Sequence, residues 1–284
     1  MKHIIHISDT HLNDNVSFQK FEAVLRDIVD HPAHSPHSHM IIHTGDLLDS
    51  HHARCIEQAG QLLEMLSAKG YRLLLAPGNH DYGGFWSVSR NLAKSFRRRF
   101  KRYIYSGQNE EFPVVTTMND VLLIGLDSNL ARLKYPRQFF AQGRLGKEQL
   151  AKLSTTLTER HPHVKRVVVY LHHNPFWFDH GVSKTLHDGH VLFNTLTRLT
   201  NRFRRLDDSA SLMTTLMDRA DILLFGHQHF GLNYSALSAQ YGVKLALDGG
   251  ASTGACASPQ NLKYRIVDLE SFSVQTRFVP YGRP

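Results

Sequence analysis

Five short apolar runs each end in a turn of carboxylates, imidazoles or an amide, and this recurrence restricts the fold of the 284-residue chain more than any other feature. Ile4–Ile7 is followed by Asp9-Thr10-His11, Met40–His43 by Gly45-Asp46-Leu47-Leu48-Asp49, and Arg72–Leu75 by Gly78-Asn79-His80-Asp81. Val167–Leu171 ends at His172-His173-Asn174-Pro175, and Ile222–Phe225 at Gly226-His227-Gln228-His229. Continuous aliphatic runs of this length suit strands buried on both faces. Ligands of open α/β sheets gather beyond the carboxyl ends of strands, so the five turns are expected to converge.

Helical patterns fill the gaps between these runs. Phe21, Leu25, Ile28 and Val29 share a face over Phe18–Val29; Ile56, Leu62, Leu63 and Leu66 do so over Cys55–Leu66; Leu150, Leu153 and Leu157 do so over Gly146–Leu157. Further strands are expected at Val121–Leu126 and Val243–Leu247, with a hairpin or paired edge strands from Lys263–Leu269 and Val274–Val279. The alternation predicts an α/β architecture with a second sheet late in the chain. With no internal repeat or linker, one domain spanning 1–284 is expected, with cap-like insertions around 82–107 and 176–216. Both insertions leave the edge that carries the polar turns, so both are expected to shape its rim.

A single Asp-x-His or Gly-His-x-His is commonplace, and a histidine at a strand end is ordinarily a satisfied polar group. Five such turns in order, each behind an apolar run, are not. Their oxygen and imidazole donors suit divalent first-row metals, and the lack of thiolates argues against a structural zinc site. The His-rich stretch His31-Pro32-Ala33-His34-Ser35-Pro36-His37-Ser38-His39 gives no ordered ligand set and reads as a solvated loop.

The net charge of +8 is concentrated locally: seven basic residues and no acidic one lie between Arg90 and Arg102. Such a run predicts an anionic partner. The same insertion places Val88, Leu92, Phe96, Phe100 and Ile104 at helical spacing, which reads first as a core-facing stripe with a solvated basic face. The second insertion carries Leu196-Thr197-Arg198-Leu199-Thr200-Asn201-Arg202-Phe203-Arg204-Arg205-Leu206. Two cysteines, Cys55 and Cys256, indicate no disulfide framework and a reducing, intracellular compartment. The first residues lack the apolar core of a signal peptide, and no run is long enough to span a bilayer. A cytoplasmic location is expected, with peripheral contact at the inner face of the membrane as the extension suggested by segment 90–102.

These blocks resemble those of the calcineurin-like metallophosphoesterase superfamily: Asp-x-His, Gly-Asp-x-x-Asp, Gly-Asn-His-Asp, a strand-terminal His and Gly-His-x-His. Leu126-Asp127-Ser128 and Gly143-Arg144-Leu145-Gly146-Lys147-Glu148-Gln149-Leu150 resemble its bacterial phosphodiesterase branch. The resemblance implies a four-layer α/β/β/α sandwich of two mixed sheets flanked by helices, with the metal site at the C-terminal ends of strands. It implies two divalent metal ions, manganese first, with iron, zinc, nickel, cobalt or magnesium as alternatives. Asp9, His11, Asp46 and His229 would hold one, Asp46, Asn79, His172 and His227 the other, and Asp46 would bridge. His172, rather than His173, is taken as the ligand because it directly ends its strand. Asn174 departs from the branch, which usually has proline there. His80 resembles the residue that protonates the leaving alkoxide, with Asp81 orienting its ring. Asp49 is expected to cap a turn; His43, His51 and His52 are expected to be supporting or loop residues.

The implied activity is that of a dinuclear metal-dependent phosphoesterase, first a phosphodiesterase or pyrophosphate hydrolase, in which a hydroxide held between the metals attacks phosphorus in line. One alternative is an enzyme resembling UDP-2,3-diacylglucosamine pyrophosphohydrolase at the membrane surface. Another is a nuclease, although no aromatic stacking platform supports nucleic acid as a partner. Outside enzymes, a metal-binding scaffold protein is the competing class, and the intact ligand blocks argue against it.

Overall fold

The computed structural model describes residues 1–84, 87–106, 110–135, 141–176, 205–254 and 261–282. Cys256 and residues 177–204 of the second insertion, including most of the Leu196–Leu206 run, lie outside the described residues. Strands β1 (His3–Ile7), β2 (His39–His43) and β3 (Leu73–Leu75) pair in parallel, extended antiparallel by β9 (Leu262–Asp268) and β10 (Val274–Val279), giving the order β10-β9-β1-β2-β3. The second sheet has the order β4-β5-β6-β7-β8. It comprises β4 (Val114–Met118), β5 (Val121–Gly125), β6 (Arg166–Tyr170), β7 (Ile222–Phe225) and β8 (Leu245–Asp248). Only β4 runs antiparallel in it.

The central strands of both sheets are buried on both faces, and the alternation of side chains along each strand shows how. Ile4, Met40, Ile42 and Leu74 meet Leu123, Val168, Ile222 and Leu224 between the sheets. Their neighbours Ile5, Ile7, Ile41 and Leu75 face the opposite way, against helices α1 (Asn15–Asp30) and α2 (Ala53–Ala68) through Phe21, Leu25 and Leu63. Leu122, Ile124, Val167, Val169 and Leu223 likewise face α5 (Lys147–Thr158) and α6 (Ser209–Leu216) through Leu153, Leu157, Leu212 and Leu216. Four layers, α/β/β/α, result, and the period of two is masked in sequence because each face is apolar.

The first insertion differs from the expected single helix. It forms α3 (Arg90–Arg99) and α4 (Lys101–Tyr105), with Phe100 between them. Val88, Phe96, Phe100 and Ile104 are buried in the helix-side core, so the apolar stripe packs inward. Its described basic residues are not among those that line the cleft at the strand ends. Arg98, Arg99, Lys101 and Arg102 line a separate groove with Arg72, the residue that precedes β3. Because α3 descends from the His80 turn while α4 packs on β3, the charges are carried towards the strand's amino end. Three of them meet acids: Arg99 with Glu57, Arg102 with Glu64, and Lys101 with Glu110.

Part of the His-rich stretch is also packed rather than solvated. His34 and His39 are 9% and 6% exposed, and His39 stacks on His3 at 4.6 Å between ring centroids. Burial, then the charges of His3 and His34, pushes the His39 imidazole down to about 4, and burial lowers His34 as well. A folded-state value below that of the unfolded chain means that the unfolded chain binds the extra proton. This contribution is therefore complete above the ordinary imidazole value near 6.5 and is lost as pH falls towards 4. His39 should contribute about 1 kcal/mol to the loss of stability between pH 7 and pH 5, read from urea midpoints in EDTA as a shallower decline in His39→Asn than in the wild type. Identical slopes in both proteins would show that His39 is not buried neutral.

Candidate metal centre

All seven expected ligand residues come together where β1, β2, β3, β6 and β7 end. The turns are held in costly backbone: Asp9, His11, Asp46, His227 and His229 have φ of 51°, 48°, 53°, 74° and 65°. Left-handed backbone at non-glycine residues costs on the order of 1–3 kcal/mol each and persists only where its surroundings enforce it. Five of the nine such residues named among the described residues lie at this one place, which marks it as the functional region.

Two ligand sets share one carboxylate. In the first, His229 Nε2 lies 3.3 Å and His11 Nε2 3.9 Å from Asp9 Oδ1. His11 Nε2 is 3.8 Å from Asp46 Oδ2. In the second, His172 Nε2 lies 3.2 Å from the same Asp46 Oδ2, 3.2 Å from Asn79 Oδ1 and 3.1 Å from His227 Nδ1. Asp46 Oδ2 thus faces both sets, while its Oδ1 accepts the His80 N–H at 2.8 Å.

The donor set fits divalent cations. His11 and His229 set their Nε2 atoms 3.0 Å apart, and His172 and His227 bring two ring nitrogens to 3.1 Å. Lone pairs at that separation repel unless a proton or a metal lies among them. Asp9 and Asp46 are fully buried, a state that raises a carboxyl, yet the facing imidazoles hold both below the usual range. The remaining ring nitrogens are oriented as metal ligands require: His172 Nδ1 lies 2.8 Å from Thr44 O, and His11 Nδ1 2.9 Å from Asp49 Oδ1. His173 is spatially close to His172 and His227. Both of its nitrogens are taken, however, Nδ1 by Ser128 Oγ at 2.6 Å and Nε2 by Ala141 O at 3.1 Å.

The pairing of His80 with Asp81 is corrected. His80 Nδ1 lies 2.5 Å from Asp49 Oδ1, whereas Asp81 turns inward and accepts the Leu48 and Gly78 N–H groups at 2.9 and 2.8 Å. The two residues sit in a 3₁₀ turn (His80–Tyr82), where successive side chains diverge by about 120°. Burial raises the Asp49 carboxyl, but hydrogen bonds from His11 and His80 outweigh it and leave it low. Burial opposes charge on His80, but Asp46 and Asp49 prevail and raise it. Asp49 therefore orients two site imidazoles, a role beyond the turn cap expected for it. Its position in Gly-Asp-x-x-Asp was the available signal.

An open cleft is lined by His11, His80, His227 and His229 together with Val16 and Lys20 of α1. His51 Nε2 lies 3.2 Å from Asp81 O, and buried His43 lies 3.2 Å from Thr10 Oγ1, both supporting these turns.

The family model for calcineurin-like phosphoesterases matches residues 2–231. A curated relative, a probable glycerophosphodiester phosphodiesterase GpdQ of Arcobacter nitrofigilis, is 25% identical over 177 residues, covering 61% of this chain and 57% of the relative. The chain thus matches little more than half the length of that relative. A dimetal phosphatase from Danio rerio superposes with a TM-score of 0.63 at 13% identity over 99% of both chains. A putative 5'-nucleotidase from Staphylococcus aureus gives 0.54 at 16% identity, over 99% of this chain and 55% of that one. These two superpositions show a shared fold.

Proposed function

The chain belongs to the calcineurin-like phosphoesterase family, and from that premise we propose that it is a metal-dependent hydrolase that cleaves phosphodiesters. The observation that carries the reading is the position of Asp46 Oδ2, 3.8 Å from His11 Nε2 and 3.2 Å from His172 Nε2, between two sets of donors. In this reading Asp9, His11, Asp46 and His229 hold one divalent ion, and Asp46, Asn79, His172 and His227 the other. Manganese is the proposed metal, since mixed oxygen and imidazole donors accept it readily. Such a pair of ions lowers the pKa of water and offsets charge on phosphoryl oxygens.

The chain's own residues do the rest. Asp49 holds the Nδ1 face of His80, which leaves Nε2 to carry a proton towards the departing oxygen at the open cleft. Likeness to a probable glycerophosphodiester phosphodiesterase supports a diester as the substrate. Hydrolysis of bis-p-nitrophenyl phosphate with added manganese tests the proposal; two bound metals without turnover on any diester would favour a scaffold.

Asp49→Asn should weaken the ion held by His11 and, at saturating manganese, still lower kcat about 10- to 100-fold, most for poor leaving groups, because His80 loses its orienting anion. Asp81→Asn should instead act on stability, by loosening the Leu48 and Gly78 N–H contacts. Unchanged kcat in Asp49→Asn would remove Asp49 from this role. Segment 90–102 is proposed to contact anionic lipid through the groove that exposes Arg72 and Arg98. Flotation with phosphatidylglycerol vesicles tests that contact, and an absence of binding would eliminate it.

A further inference from the structure

Arg132 is the largest fully buried side chain among the described residues, and it has no partner. It is 2% exposed, and its Nε, Nη1 and Nη2 atoms make no hydrogen bond. The other arginines of the interior and its margins find acceptors: Arg277 pairs with Asp27 at 2.9 Å, Arg90 donates to Leu133 O at 3.0 Å, and Arg265 donates to Gly231 O. A guanidinium taken from water without an anion is strongly unfavourable. Burial lowers its pKa only to about 10, so it remains charged at neutral pH.

Its position ties it to the metal centre. Arg132 lies in a short turn (Leu130–Leu133) beyond the end of β5, and its N–H bonds Asn129 O at 2.9 Å. Asn129 Nδ2 in turn donates to Pro77 O at 3.0 Å, fixing the turn against the loop that carries Asn79 and His80. The Asp46 carboxylate is the one group whose charge favours the guanidinium. Asp46 is the carboxylate proposed above to bridge two cations, which leaves it little charge to offset Arg132. Two dications and a guanidinium near Asp9, Asp46 and Asp49 would leave net positive charge, and no described residue hydrogen-bonds the Arg132 side chain.

We propose that Arg132 receives phosphoryl oxygens at the metal centre, those of the substrate's phosphoryl group and of product or inorganic phosphate. The inference rests on the metal-centre reading above. The planar guanidinium can offer two parallel N–H groups to two oxygens of one tetrahedral anion. Charge on the equatorial oxygens is greatest during transfer, so the contact should act on kcat as well as on KM. The competing account is ordered water satisfying the guanidinium in a sealed pocket, which gives Arg132 no part in anion binding.

The test titrates inorganic phosphate against the manganese-loaded full chain and its Arg132→Met and Arg132→Lys variants, following thermal midpoint and metal content. Arg132→Met should retain both metals and melt at or above the wild-type midpoint without phosphate, since a buried lone charge is replaced by an apolar chain of similar length. Its phosphate affinity should fall about tenfold or more, with kcat on bis-p-nitrophenyl phosphate falling and KM rising. Phosphate affinity and kcat/KM within about twofold of wild type in Arg132→Met would overturn the proposal. If Arg132→Met fails to fold or loses metal, Arg132→Lys decides: it retains the charge and loses the fork. Weaker phosphate binding at full metal content then supports the proposal, and unchanged binding overturns it. Phosphate binding lost on substitution in a protein that hydrolyses no diester would leave this inference standing and remove the phosphodiesterase reading.

Discussion

Alanine at Asp46 is expected to cost the protein both metal ions and at least about a thousandfold in turnover. The estimate follows from the several kcal/mol that metal ions contribute to phosphoryl charge stabilisation, at about 1.4 kcal/mol per tenfold. The two donor sets meet only through this carboxylate, whose Oδ2 is 3.2 Å from His172 Nε2 and 3.8 Å from His11 Nε2. Its removal also leaves the His80 N–H without its acceptor at 2.8 Å, so the proton-handling turn should loosen too. Metal analysis after gel filtration gives the answer alongside the rate. Two tightly bound ions in Asp46→Ala would contradict the bridging assignment.

Gly78→Ala should weaken the same site without replacing a proposed ligand. A Cβ at Gly78 would lie 2.1 Å from Asp46 Oδ1 and 2.3 Å from Asp46 N, distances no packed atoms tolerate. Its backbone lies outside the left-handed region, so the glycine serves close approach rather than conformation. The Asp46 turn must move, and Asp46 already sits at φ 53° with little freedom to adjust. Metal affinity is expected to fall about 10- to 100-fold, as when a group that orients a ligand is lost, with a stability cost of about 1–3 kcal/mol. Wild-type metal affinity in this variant would mean that the two turns do not pack this tightly.

The strand-end turns were legible because chemistry and hydropathy coincide there: an apolar run stops, and a polar block begins. Strands buried on both faces appear as unbroken aliphatic runs, which is why β1, β2, β6 and β7 stood out. Strand β4 carries no such signal because Val114-Val115-Thr116-Thr117-Met118 is polar-rich, partly exposed and at an edge, joined to β5 by a two-residue turn in which Asn119 has φ 55°. Spacing could place Val88, Phe96, Phe100 and Ile104 in the core, but not the break at Phe100 that redirects the basic residues.

The partner of His80 is hidden in the sequence for a different reason. Adjacency in sequence favoured Asp81, whereas the carboxylate that reaches His80 Nδ1 is Asp49, from another turn. Sequence proximity is a poor guide inside a 3₁₀ turn, where the next side chain faces elsewhere. Arg132 gave no signal at all, since a lone arginine in Leu130-Ala131-Arg132-Leu133 looks like a surface residue until its burial is known.

The central claim is that two metal sites meet at Asp46. Anomalous diffraction from crystals grown with manganese tests it directly. Two peaks about 3.5–4 Å apart are predicted, one against Asp9, His11 and His229, the other against Asn79, His172 and His227, with Asp46 between them. A single peak, or two that do not share Asp46, would contradict the account.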